Sequence, residues 1–190
     1  IKEGPEPLSS SFKNVIIILL LIILVLSLLG INIFNLPLEE VLFFICIPFA
    51  CLFTYHCSTV FLKAKWNSFF EKYFIAVLSI MLLVTGIIFW HKAYTAITFI
   101  SLSIFLFVLK YYFKVSWLQQ FFTIYPLLLI PFFIVNGILT GTGLEHPVVL
   151  YNDSENLGIR LLTIPVEDIF YGMELLLLNI FFNEKFKRRN

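Results

Sequence analysis

Five stretches of this 190-residue chain run for sixteen residues or more without a charged side chain, and in a further apolar stretch over 161–183 the only charges are acids. A water-covered globule needs polar surface that this sequence does not supply. Only 13% of its residues are charged and 60% are hydrophobic, whereas a typical soluble domain has about 25% charged residues. A bilayer suits such segments, since a spanning helix takes roughly 20 apolar residues, within about 17–25. The expected spans are Asn14–Gly30, Leu38–Leu62, Phe74–Trp90, Tyr94–Leu109, Phe121–Ile138 and Leu161–Phe182. Helices are expected because backbone in hydrocarbon must satisfy its own hydrogen bonds, and the period-two alternation of a membrane barrel is missing. The fold class is therefore all-α: a polytopic membrane bundle of about six or seven transmembrane helices.

The basic residues set an orientation. With the N-terminus inside, eleven of the thirteen Lys and Arg fall on one side, and Lys92 and Arg160 on the other. The excess marks the cytoplasmic side, so both ends of the chain are expected there, in a multi-pass cell-membrane protein. A net charge of +1 offers no basic face to nucleic acid. Cys46, Cys51 and Cys57 follow one another at spacings of 5 and 6 within one apolar span. That spacing suits small buried hydrophobes better than a metal site. Pro48, and Pro126 with Pro131, are expected to bend the second and fifth spans.

An internal repeat carries the functional signal. Residues 30–41 read GINIFNLPLEEV and residues 158–169 read GIRLLTIPVEDI, an offset of 128. Gly, Ile, Pro and the first Glu are identical, and most other pairs are conservative. The reading divides the chain into a first repeat over residues 1–72, expected to continue upstream of Ile1, and a second over residues 73–190. Each copy brings a P-x-E-[ED] element to the start of an apolar helix, on the same expected membrane side.

Proline at a first helical position and acids in a first turn are ordinary helix-start grammar. Four carboxylates at or near hydrocarbon depth, Glu39, Glu40, Glu167 and Asp168, are less ordinary, because ionisable groups there are costly and usually functional. Glu167, Tyr171 and Glu174 stand at i, i+4 and i+7, which places them together on one helix face expected to point into the bundle. The first copy has Phe43 and Cys46 at the matching positions. Glu40 and Asp168 sit about 100° around their helices from Glu39 and Glu167. One pair is therefore expected to face inward and the other to cap the helix or meet headgroups. Two carboxylates that share one low-dielectric site do not both ionise easily. A Glu39–Glu167 pair is thus expected to share a proton and act as a Brønsted acid.

These motifs carry a resemblance. NLPLEEVLFF at 35–44, IPVEDIFYG at 164–172 and the Y-N-x-x-x-N-x-G-x-R stretch from Tyr151 to Arg160 resemble the lycopene cyclase domain family, the non-flavin type found as heterodimeric or fused bacterial and fungal lycopene β-cyclases. The resemblance implies acid–base cyclisation of the linear ψ ends of lycopene to β-ionone rings without net redox change, an isomerase-type step of carotenoid biosynthesis. It implies catalytic roles for Glu39, Glu40, Glu167 and Asp168, with Phe43, Tyr171, Glu174 and Arg160 as substrate-binding candidates. The substrate implied is lycopene dissolved among membrane lipids, which leaves room for a homo-oligomer or a complex with other carotenoid enzymes.

Two other classes stay open on the residues alone. A membrane prenyltransferase would use acids such as Asp153 and Glu155, near Asn152, to hold Mg²⁺ against a diphosphate. A proton-coupled carrier would use paired intramembrane acids. No G-x-G-x-x-G follows a strand, so no nucleotide-binding fingerprint is present, and neither cofactor nor metal is expected. His56, His91 and His146 form no ligand pair and are read as interfacial or solvated. Arg160, in the polar connection between Leu139 and Arg160, is expected to pair with an acid.

Overall fold

The computed structural model describes residues 32–33, 36–143 and 149–187, with side chains from residue 49 onward except at Ile138 and Lys187. They form five α-helices and two short β-hairpins. In chain order these are β1 (Asn32–Ile33), β2 (Leu36–Pro37), α1 (Leu38–Phe61), α2 (Ser68–Ile88) and α3 (Ala93–Phe107). A π-helical turn at Val108–Tyr112 follows, then α4 (Leu118–Leu139), β3 (Arg160–Leu161), β4 (Ile164–Pro165) and α5 (Val166–Lys187). The expected span Asn14–Gly30 lies outside the described residues. The chain divides into two compact units between Phe53 and Thr54.

In the first unit, β1 pairs antiparallel with β2, with Asn32 opposite Pro37 and Ile33 opposite Leu36. In the second, β3 pairs with β4, with Arg160 opposite Pro165 and Leu161 opposite Ile164. Each hairpin leads straight into a helix that starts one residue after its proline. Proline suits both places, since it has no N–H to give a ladder and its φ is preset for a first helical turn. The sequence placed the start of the last span at Leu161; the hairpin moves the helix start to Val166.

Among the described residues, three helices are long and apolar enough to cross a membrane: Ser68–Ile88, Ala93–Tyr112 and Leu118–Gly137. Helix α5 carries Glu167, Asp168, Glu174, Glu184 and Lys185 and is not one of the three. Within the second unit, α3 packs most extensively on α2 and next on α5. Gly86 of α2 lets the backbones close, because a Cβ there would come within 2.7 Å of Ile100. Ser103 of α3 donates to the Ser79 carbonyl of α2 at 2.7 Å. Small and hydroxylated residues at a helix contact are what membrane helices use when lipid competes for every apolar surface. The core gathers Leu102, Leu106, Phe121, Ile124, Leu177 and Ile180, all without exposed surface, while Ile80, Met81 and Ile88 of α2 face outward.

The direction of each helix follows from its contacts. Thr95 meets Glu167 near the starts of α3 and α5, and Phe105 meets Phe181 further along both, so these two run parallel. Helix α4 returns: its end, at Thr140, bonds Thr163 just before α5 at 2.6 Å. It continues through Pro126 and Pro131. Its start is stitched to the connection after α1, where Gln120 accepts from Ala64 N–H at 2.8 Å and Gln119 from Trp66 N–H at 3.1 Å.

The connection before β3 is tied down on α3. Helix α3 has no side-chain cap of its own at Lys92, and its first N–H groups would otherwise lack partners. Glu155 supplies them: its carbonyl accepts from Tyr94 and Thr95, at 3.0 and 3.4 Å, and its carboxylate from Ala93 at 3.1 Å. Lys92 in turn reaches the Asn156 carbonyl at 2.6 Å. This loop thereby closes over the starts of α3 and α5 together.

Candidate functional site

The second P-x-E-[ED] copy opens α5 beneath that loop. Glu167 has no exposed surface and Asp168 keeps 4%. The carboxylate Oε1 of Glu167 accepts from Thr95 Oγ1 at 2.6 Å and from Leu157 N–H at 2.7 Å. Its other oxygen, Oε2, is buried and has no hydrogen-bond partner among the described residues. Asp168 is held differently: Oδ1 accepts from the Tyr94 hydroxyl and Oδ2 from the Tyr151 hydroxyl, each at 2.5 Å. The two phenol rings lie 6.1 Å apart. Neither acid forms an ion pair among the described residues. Arg160 bonds Asp153, and Lys92 is committed to a carbonyl.

Both second-copy acids therefore face inward, where one inward and one peripheral had been expected. A helix wheel sets about 100° between neighbouring positions but says nothing of cover. Glu167 turns toward α3 and Asp168 toward the phenols of Tyr94 and Tyr151, so two neighbouring positions on one helix are both enclosed. The stripe through Glu167, Tyr171 and Glu174 is split. Glu174 is half-buried and accepts from Ser101 of α3 at 2.8 Å, whereas Tyr171 is 50% exposed. At about 100° per residue, Tyr171 and Glu174 fall roughly 60° apart on either side of Glu167, enough to put the tyrosine outside.

Arg160 does pair with an acid, but with Asp153 of its own loop rather than with a motif carboxylate. The guanidinium holds the Asp153 carboxyl below its usual range, and the hydrogen bond from Asn156 adds to this. For Tyr151, burial first and the bond to Asp168 second push the phenol well above its ordinary range. It stays a protonated donor throughout the working pH range. Glu39, Glu40, Phe43 and Cys46 lie in the helical backbone of α1, but their side chains fall outside the described residues.

Sequence reasoning missed Tyr94, Thr95, Ser101 and Tyr151 as partners of the acids. A signal existed for three of them, since Tyr94, Thr95 and Ser101 are hydroxyl groups inside an apolar span, and such groups turn toward the bundle. Which acid each would meet depends on the packing of α3 beside α5, which no local pattern contains.

A family model described as lycopene cyclase matches residues 25–58 and 91–186. The chain belongs to the lycopene cyclase family. Both motif copies lie within the matched segments, as do Tyr94, Thr95 and Tyr151. Neither a curated protein nor a solved structure matches the chain. Family membership marks it as a carotenoid cyclase, and three of its described helices are long and apolar enough for a membrane protein. In this cyclase the acids once weighed as a metal cluster are otherwise occupied, Asp153 by Arg160 and Glu155 by the start of α3. Among the described residues no group of three or more His, Cys, Asp or Glu is placed to hold a metal ion.

Proposed function

We propose that this protein is a multi-pass membrane β-cyclase, built from two related halves, that converts the ψ ends of lycopene to β-ionone rings by proton transfer alone. The observation that carries the reading is the buried Glu167, with one oxygen bonded and the other without a partner among the described residues, beside a second enclosed carboxylate. An acid O–H on Oε2 would protonate the terminal double bond of the polyene and leave a tertiary cation. The next double bond attacks that cation and closes a six-membered ring, and a carboxylate then removes a ring proton to set the new double bond. One proton enters and one leaves, so no oxidant or reductant is consumed. The aromatic side chains would offer π faces to the passing cation.

The identical register of the two hairpins, 128 residues apart, supports the two-repeat reading and gives Glu39 and Glu40 the same start-of-helix setting as Glu167 and Asp168. We assign them to the same proton-transfer chemistry in the first half. Tyr171, Glu174, Arg160 and Phe43 remain the proposed contacts to substrate. The test is expression of the full-length protein in a lycopene-accumulating bacterium, with pigments analysed beside Glu39→Gln and Glu167→Gln variants. Cyclic carotenoid from the parent and mostly unchanged lycopene from both variants supports the assignment. Unchanged lycopene from a verified, membrane-inserted parent overturns it.

A further inference from the structure

The two acids of the second motif are held in opposite ways, and ring chemistry gives that difference a meaning. Glu167 keeps one oxygen without a partner among the described residues. Asp168 has both oxygens pinned, by phenols that arrive from different parts of the chain, Tyr94 from the first turn of α3 and Tyr151 from the loop. Two donors leave a carboxylate with unused lone pairs, because its two oxygens offer about four acceptor positions. Asp168 can still take a proton, but only along a direction that the tyrosines fix.

Direction matters at the last step of a cyclisation. Once the ring has closed, the cationic ring carbon has three neighbours that can lose a proton. They are the ring carbon that carries the polyene chain, the ring methylene, and the attached methyl group. In each case the electron pair of the broken C–H bond becomes the new double bond and the proton passes to the base. The three losses give three ring isomers of the same composition. A mobile base would take from all three; a fixed one selects.

Resting on the cyclase reading, we propose that Tyr94 and Tyr151 are positioning residues that hold Asp168 as the proton-accepting base and thereby set which ring isomer forms. Glu167 is the proton donor in this division of labour. The proton taken by Asp168 passes to water and Glu167 is recharged from water, so the site resets without net change. The loop carries Tyr151, donates Leu157 N–H to Glu167 and caps α3 through Glu155. It therefore sets both acids at once.

The experiment expresses the full-length parent, Tyr94→Phe, Tyr151→Phe and the double variant in lycopene-accumulating membranes. It measures the ratio of ring isomers together with product per inserted protein. Phenylalanine keeps each ring and removes only the donor, and a hydrogen bond to a charged group lost at one site is expected to slow turnover about tenfold. The expected result is a single dominant isomer from the parent and a mixture from each variant, broadest in the double variant. If the double variant fails to accumulate, the two single variants decide. A fall in yield with the parent's isomer still the sole product overturns the positioning role and leaves the cyclase reading standing. Unchanged lycopene from the inserted parent removes both.

Discussion

Buried carboxylates of the neighbouring helices α2 and α5 lie against opposite ends of α3, and the two ends are treated in opposite ways. At its far end, Glu71 of α2 is bonded to Lys110 at 2.6 Å, with side chains only 11% and 12% exposed. Lys110 sits in the π-helical turn that extends α3. At the near end, Glu167 and Asp168 are at least as deeply buried but, among the described residues, receive only hydroxyl and backbone donors. A buried acid with its own cation has its charge cancelled and serves to join two helices. A buried acid among neutral donors lacks that cancellation. Among the described residues a directly bonded cation, more than burial, separates the two ends.

The largest effects should come from the near end. Glu167→Gln and Asp168→Asn are each expected to lower cyclised product per milligram of inserted protein by about 10²–10⁴-fold, the usual contribution of a general acid or base. A lost helix-dipole contact is worth only about 0.3–1 kcal/mol, so near-parental turnover in Glu167→Gln would return the motif to helix-start grammar. Losses of similar size in both variants are expected because both acids are enclosed. The far end should respond in the other currency. Lys110→Met strands a buried charge and is expected to cost about 3–5 kcal/mol of stability, read as a lower unfolding temperature in detergent. Activity per folded protein should stay close to parental. Adding Glu71→Leu to Lys110→Met should recover most of that loss, since an apolar pair of similar volume is often neutral. If Lys110→Met abolished chemistry without loss of stability, the contrast between the two ends would break.

Much of this was legible in the sequence. Apolar runs located the five described helices, with ends up to about six residues off, since length and apolarity are local properties. The P-x-E-[ED] copies announced the acids, because carboxylates in apolar surroundings stand out against composition. Two things were not legible. The pairings Tyr94–Asp168 and Thr95–Glu167 join residues more than 70 positions apart, and nothing in either neighbourhood names its partner. The hairpin at Arg160–Pro165 was read as the start of a helix because its residues are as apolar as the helix that follows. A two-residue ladder leaves no periodicity to detect.

The smallest effect concerns the loop that covers the site. Asp153 titrates below its ordinary value of 3.8 because Arg160 is bonded to it. A depressed native value contributes stability that is present above the unfolded value and is lost as pH falls through the folded one. The Asp153–Arg160 tie should therefore hold at neutral pH and loosen only below 3.8. Arg160→Gln should move the Asp153 titration, followed by carbon-13 shifts, back up toward the ordinary carboxylate range. An unmoved titration would show that Arg160 is not its cause.

The central claim is that rings form here by a proton delivered from Glu167. Membranes preloaded with lycopene and transferred to deuterium oxide test it directly, with the mass of the cyclic product as the reading. Each new ring should carry one solvent deuterium in the parent protein, and Glu167→Gln at equal membrane levels should yield almost no cyclic product. Rings that form in deuterium oxide with the unlabelled mass, or in Glu167→Gln at the parental rate, would contradict the account.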